Sequence, residues 1–234
     1  MAIYAIGDPH LSGADPKPMD IFGPAWEDHA GRLFRNWREV VADGDLVLVP
    51  GDISWAMDLD GATVDLQAID ALPGTKVLIQ GNHDYWWQSI SRLRRLPLRT
   101  VHFIQNDHFR WGDTFVCGTR GWLLPDDRAW ADDPAHNEKI LAREVGRLKL
   151  SLESARKAGA GDILVMMHYP PVSRPGEHTP FSEVLSATPG VRLCVYGHLH
   201  GAPAHERAFQ GMLDGVEYRL VACDALQFTP LRVA

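Results

Sequence analysis

The stretch Lys76-Val77-Leu78-Ile79-Gln80-Gly81-Asn82-His83-Asp84 joins an apolar run to a glycine and three polar residues, and Tyr85-Trp86-Trp87 follows directly. A plain turn does not need that choice of side chains. An Asn amide oxygen can ligate a hard metal, a His imidazole can move a proton, and an Asp carboxylate can orient the imidazole. Four other apolar runs end in a similar way. Ile3–Ile6 leads through Gly7 to Asp8-Pro9-His10, and Leu46–Val49 leads to Gly51-Asp52. Asp162–Met167 leads to His168, and Val191–Tyr196 leads to Gly197-His198-Leu199-His200.

Each run reads as a buried strand followed by a ligand-bearing loop. Helical spacing over Trp26–Ala42 and Asp60–Leu72 fills the gaps between the first three, with Asp43-Gly44-Asp45 and Pro73-Gly74 as stops. Asp8 and Asp52 are 44 residues apart, and Asp52 and Asn82 are 30 apart. Both spacings fit strand–helix–strand units of a parallel sheet, which take roughly 30 residues or more. Trp86–Leu96 is predicted helical, residues 100–122 read as a hairpin or meander, and Asn137–Ala158 is the longest helical pattern. A short helix is expected over Phe181–Ser186, and strands near 204–210, 216–223 and 227–233. Residues 11–25, 123–137 and 170–180 read as loops. No repeat or linker interrupts the chain, so residues 1–234 are expected to form a single domain.

The 234 residues are 45% hydrophobic, enough for a substantial core. A net charge of -7 without any basic block argues against long nucleic acid held by broad electrostatics. Cys117, Cys194 and Cys223 lie in apolar runs without paired spacing, which points to buried thiols in a reducing compartment. The first residues lack a signal-peptide pattern, and no stretch approaches the roughly 20 apolar residues of a transmembrane segment. A cytoplasmic protein is expected. Oligomeric state leaves no readable mark.

Ligands of open α/β sheets bind beyond the carboxyl ends of the strands. Asp8, His10, Asp52, Asn82, His168, His198 and His200 all fall there. Five of the 11 histidines follow these runs directly. His29, His102, His108, His136, His178 and His205 do not, and read as surface or loop residues; among them His178 lies in a loop leaving the site. Carboxylate, amide and imidazole without thiolate suit manganese, iron or zinc. Seven ligands are too many for one ion, and two ions need a shared ligand. A carboxylate bridges with its two oxygens, so Asp52 is the expected bridge between ions about 3.5–4 Å apart.

These blocks, in this order, resemble the motifs of the calcineurin-like metallophosphoesterases: Asp8-x-His10, Gly51-Asp52, Gly81-Asn82-His83-Asp84, His168 and Gly197-His198-x-His200. Lys17–Gly23 and Gly51–Met57 further resemble a group of compact bacterial predicted phosphohydrolases. The resemblance implies an α/β fold, a four-layer αββα sandwich of two mixed β-sheets flanked by helices. It implies one metal on Asp8, His10, Asp52 and His200, and a second on Asp52, Asn82, His168 and His198. The two divalent ions are expected to be manganese first, with iron or zinc as alternatives. His83 is assigned to the leaving group or a phosphoryl oxygen, with Asp84 holding its other ring nitrogen.

The implied activity is hydrolysis of a phosphodiester or phosphomonoester by in-line attack of a metal-bridged water or hydroxide. The implied substrate is a small-molecule or lipid-linked phosphoester. Two departures from the family pattern are Pro9 inside the first block and Ile53-Ser54-Trp55-Ala56-Met57 where many relatives carry another Asp. Trp55, Tyr85, Trp86, Trp87 and Trp122 are candidates for an aromatic wall, and Arg120 and Arg174 for phosphate contacts. The competing readings are a non-catalytic protein-binding scaffold on the same fold and a two-metal hydrolase of a non-phosphate ester.

Overall fold

The computed structural model describes residues 1–234. The first half runs β1 (Ile3–Ala5), α1 (His29–Val40), β2 (Leu46–Val49), α2 (Leu59–Asp70), β3 (Thr75–Leu78), α3 (Ile90–Leu93), β4 (Val101–Phe103), β5 (Phe109–Trp111) and β6 (Thr114–Thr119). The second runs α4 (Pro134–Lys157), β7 (Asp162–Met167), α5 (Pro180–Ser186), β8 (Val191–Tyr196), α6 (Ala202–Arg207), β9 (Gly211–Leu213), β10 (Val216–Leu220) and β11 (Leu231–Arg232).

These strands make two mixed sheets, ordered β11-β1-β2-β3-β4 and β5-β6-β7-β8-β10-β9. Within the first, β1 to β4 run parallel and only the edge strand β11 is reversed. In the second, β6, β7, β8 and β10 are parallel, between antiparallel edges β5 and β9. Parallel strands buried on both faces carry unbroken apolar runs. Side chains alternate across them. Ala5, Leu48, Val77, Leu164 and Val195 fill the space between the sheets. Val47, Val49 and Leu78 meet Leu33, Trp37 and Leu66 of α1 and α2 on the outer face of the first sheet. Val165 and Cys194 meet Leu148, Leu152 and Leu185 of α4 and α5 on the outer face of the second. The result is the expected four-layer αββα sandwich.

Several local expectations are corrected. Val101–Phe103 pairs parallel with β3, so the run over 100–122 divides between the two sheets. The helix expected over Trp86–Leu96 is reduced to α3. Trp86 is only 1% exposed, and its indole N–H is tied to Asp84 Oδ1 at 3.0 Å, which holds the chain out of helical geometry. The region near 204–210 contains α6 instead of a strand, with Pro203 in its first turn, where a missing N–H costs nothing. All three cysteines are buried and unpaired.

Candidate metal centre

β1, β2, β3, β7 and β8 end at one rim, and the segment after each turns sharply. Asp8, His10, Asp52 and His198 have φ values of 57°, 45°, 51° and 71°, in the left-handed region that non-glycine residues rarely adopt. The motif glycines allow close approach of these turns. A Cβ on Gly81 would collide with the Asp52 backbone and carboxylate, and one on Gly197 with the Asp8 carboxylate. Glycine is therefore required by packing at both places.

The turns bring all seven predicted ligand residues together. His10 Nε2 and His200 Nε2 face each other at 3.3 Å. Asn82 Oδ1 lies 2.6 Å from His168 Nε2 and 2.9 Å from His198 Nδ1, and those two nitrogens are 3.3 Å apart. Between the groups stands Asp52 Oδ2, 3.7 Å from His10 Nε2 and 3.5 Å from His168 Nε2. Asp8 has ligand oxygens within 4.8 Å of both His10–His200 and Asp52–His168. Its contact with His168 is through Nδ1, at 3.5 Å, and that nitrogen already pairs with the Pro50 carbonyl at 3.1 Å. Asp52 is thus the carboxylate whose oxygen faces both sets of free imidazole nitrogens.

The electrostatics fit a cation here. Asp8 and Asp52 are buried, and the cation-bearing side chains within ion-pair distance of them are histidines alone. Burial drives His10, His168 and His198 down to about 3, leaving neutral imidazoles with lone pairs. Burial also raises Asp8, and the Asp52 charge adds to the effect. Buried negative charge without a matching cation is costly. Divalent ions ligated by these atoms would neutralise it, and the O/N donor set suits manganese, iron or zinc.

His200 differs from the other imidazoles. Burial opposes its protonated form, but the Asp224 hydrogen bond and the charges of Asp8, Asp224 and Asp52 outweigh burial and raise it. Asp224 Oδ1 lies 2.9 Å from His200 Nδ1, while Oδ2 accepts the Gly201 N–H at 2.9 Å and lies 3.2 Å from His205 Nε2. The preceding Cys223 donates its thiol to the Asp8 carbonyl at 2.8 Å. This pair fastens two ligand loops, yet the sequence reading passed over it. A signal was present: Leu220-Val221-Ala222 is another apolar run ending at a carboxylate.

His83 lies beside the centre, its ring centroid 5.8 Å from that of His10. Its backbone N–H donates to Asp52 Oδ1 at 2.8 Å, and its ring packs 4.5 Å from Trp55. Asp84 does not hold the His83 ring, contrary to expectation. Its carboxylate accepts N–H groups from Gly81 at 2.7 Å, Ile53 at 2.8 Å, Ser54 at 3.2 Å and the Trp86 indole. Those four donors saturate it, and His83 Nδ1 is left buried without a partner. Asp84 therefore clamps the loop after β2 to the loop after β3.

The candidate wall residues separate. Trp55 stacks on His10 with centroids 4.9 Å apart, whereas Trp86 is core and Trp87 packs edge-on against Phe103. Arg120 turns to the buried Glu144, Arg174 pairs with Asp126, and His178 pairs with Asp214. Of the histidines expected at the surface, His29 is buried, with Nε2 3.1 Å from the His10 carbonyl.

The model of the calcineurin-like phosphoesterase family matches residues 1–202. No curated protein matches the chain. Among solved structures, it is similar to the protein of unknown function AQ665 from Aquifex aeolicus at 15% identity, over 98% of this chain and 94% of that one, with a TM-score of 0.42.

Proposed function

The chain belongs to the calcineurin-like phosphoesterase family, and from that premise we propose that it is a dinuclear-metal-dependent phosphoesterase acting on a phosphodiester or phosphomonoester. The observation that carries this reading is the placement of Asp52 Oδ2 between His10 Nε2 and His168 Nε2. In this reading Asp8, His10, Asp52 and His200 hold one ion, and Asp52, Asn82, His168 and His198 hold the other. Two such ions supply an activated water and offset charge on a phosphoryl oxygen. Manganese is the proposed occupant.

The chain's own groups complete the chemistry. Buried imidazoles stay neutral and available as ligands. His83, whose Nδ1 has no partner, donates a proton or hydrogen bond to the departing oxygen. Residues 1–234 act as one unit, because the ligands come from both sheets. No helix is long and apolar enough to cross a membrane. Three unpaired buried cysteines support placement in the reducing cytoplasm, and the proposed substrate is a small-molecule or lipid-linked phosphoester.

The test is hydrolysis of bis-p-nitrophenyl phosphate and p-nitrophenyl phosphate by metal-stripped protein resupplied with manganese. A manganese-dependent rate on either ester is expected. Two bound ions with no turnover of either ester would overturn the reading.

A further inference from the structure

A cleft of about 670 Å³ opens beside the metal centre. It shares two residues with the ligand-bearing loops. Tyr169 follows His168 and places its ring 4.2 Å from that of His198, and Leu199 lies between His198 and His200. The volume is that of a small-molecule site, well beyond what a phosphate alone fills. Building on the phosphoesterase reading above, we propose that this cleft receives the ester arm that stays on phosphorus, and that this arm is uncharged and aromatic.

The aromatic assignment rests on the ring of Trp122, which lines the cleft and is held in place, with the buried Tyr169 ring 5.5 Å from it. The Trp122 indole N–H donates to Asn137 Oδ1 at 2.9 Å, and the Asn137 amide donates in turn to the Trp130 carbonyl at 3.1 Å. The ring is half-buried and anchored, so a flat ligand finds a stacking surface without ordering it first.

The uncharged assignment rests on the cations. Arg174 is engaged by Asp126 at 3.4 Å and Glu177 at 3.7 Å. Arg120 lies over the Trp122 ring, 4.8 Å from its centroid, and turns its charge toward buried Glu144. Arg128 and Arg207 line the cleft together with Asp127 and Glu206. The lining carries no surplus positive charge for a second phosphate. The side of the site identifies which arm enters. His83, the proposed donor to the leaving oxygen, packs toward Trp55 and His10, whereas the cleft meets the centre at His198.

The test titrates manganese-loaded full-length protein with phenylphosphonate and with methylphosphonate by calorimetry. Phenylphosphonate is expected to bind about tenfold tighter, the scale of one aromatic contact. Trp122→Ala should bring that ratio close to one, and Trp122→Phe should keep most of it. Equal or absent binding of the two by the wild type would overturn the proposal, as would a ratio unchanged in Trp122→Ala. Hydrolysis of phenyl and methyl p-nitrophenyl phosphates, which share a leaving group, separates the two layers of the reading. Turnover of both without phosphonate discrimination overturns the cleft assignment alone. Discrimination with no turnover of these diesters or of p-nitrophenyl phosphate overturns the phosphoesterase reading, while the cleft keeps its occupant.

Discussion

Asp224 Oδ1 stands 2.9 Å from Nδ1 of His200, leaving Nε2 of that ring to face His10. A carboxylate behind a ligating imidazole fixes its tautomer and orientation, and such partners typically carry 10–100-fold in metal affinity. Asp224→Asn is therefore expected to weaken the ion proposed on Asp8, His10, Asp52 and His200 by about that factor, and the other ion less. Manganese titration, with stoichiometry read by elemental analysis, checks it. Equal weakening at both positions would assign Asp224 a general structural role.

Asp52→Asn should affect both ions. The amide keeps the shape but loses the charge, and with its oxygen accepting the His83 N–H it turns an NH2 toward both sets of imidazoles. Metal content is expected to fall, and hydrolysis to drop by about 10²-fold or more, the scale of losing one fixed electrostatic stabiliser. Wild-type metal content together with wild-type rate would remove Asp52 as the bridge.

Asp84 is expected to report through stability. Asp84→Ala strands four N–H donors in a buried place, and losing them costs about 3 kcal/mol. Asp84→Asn, which keeps one acceptor oxygen, should cost less. Chemical denaturation measures both. A native midpoint combined with a collapsed kcat would return Asp84 to the role of orienting His83.

Three buried imidazoles make an acid-sensitive contribution to the stability of the metal-stripped protein. His10, His168 and His198 are held near 3 by burial, while in the unfolded chain they titrate near 6.5. Between those values the unfolded state binds more protons, so stability is fully present above pH 6.5 and is lost as pH falls toward 3. Burial raises Asp8 and Asp84, so these two carboxyls act in the opposite sense over the same window, and the imidazoles are read individually by NMR titration of the metal-stripped protein. Ring shifts of His10, His168 and His198 that stay at their neutral values from pH 6.5 to 4.5 are expected, and protonation near 6.5 would show that these imidazoles are not buried neutral.

Lys76 provides a test away from the centre. Its side chain is fully buried in β3, and its ammonium donates to the carbonyls of Asp70, Leu72 and Gly74 and to Thr100 Oγ1. Lys76→Met retains the length but leaves those oxygens unpartnered, and is expected to lower stability by about 2–3 kcal/mol. A melting curve identical to wild type would contradict that account.

The ligand set was legible because buried parallel strands leave unbroken apolar runs, and each run hands directly to its polar turn. What escaped depended on distant partners. Asp84 meets Ile53 across 31 residues, so its neighbour His83 was the only partner visible in the sequence. Val101–Phe103 has the same short, apolar character as Phe109–Trp111, and only pairing with β3 sends it to the first sheet. The stretch 204–210 mixes small, charged and aromatic residues, and there Pro203 decides for a helical turn. Trp122 and Tyr169 lie far apart in sequence, and nothing local marks them as neighbours.

The left-handed backbone at Asp8, His10, Asp52 and His198 also bears on how this protein would respond to laboratory evolution. Each of those residues occupies a conformation that glycine, and to a lesser extent asparagine, takes with less penalty. Selection for heat resistance alone, blind to turnover, would drift toward glycine at these four positions. Hardier variants obtained that way should be metal-poor and inactive, so thermal screening of this enzyme class needs a catalytic readout in every round.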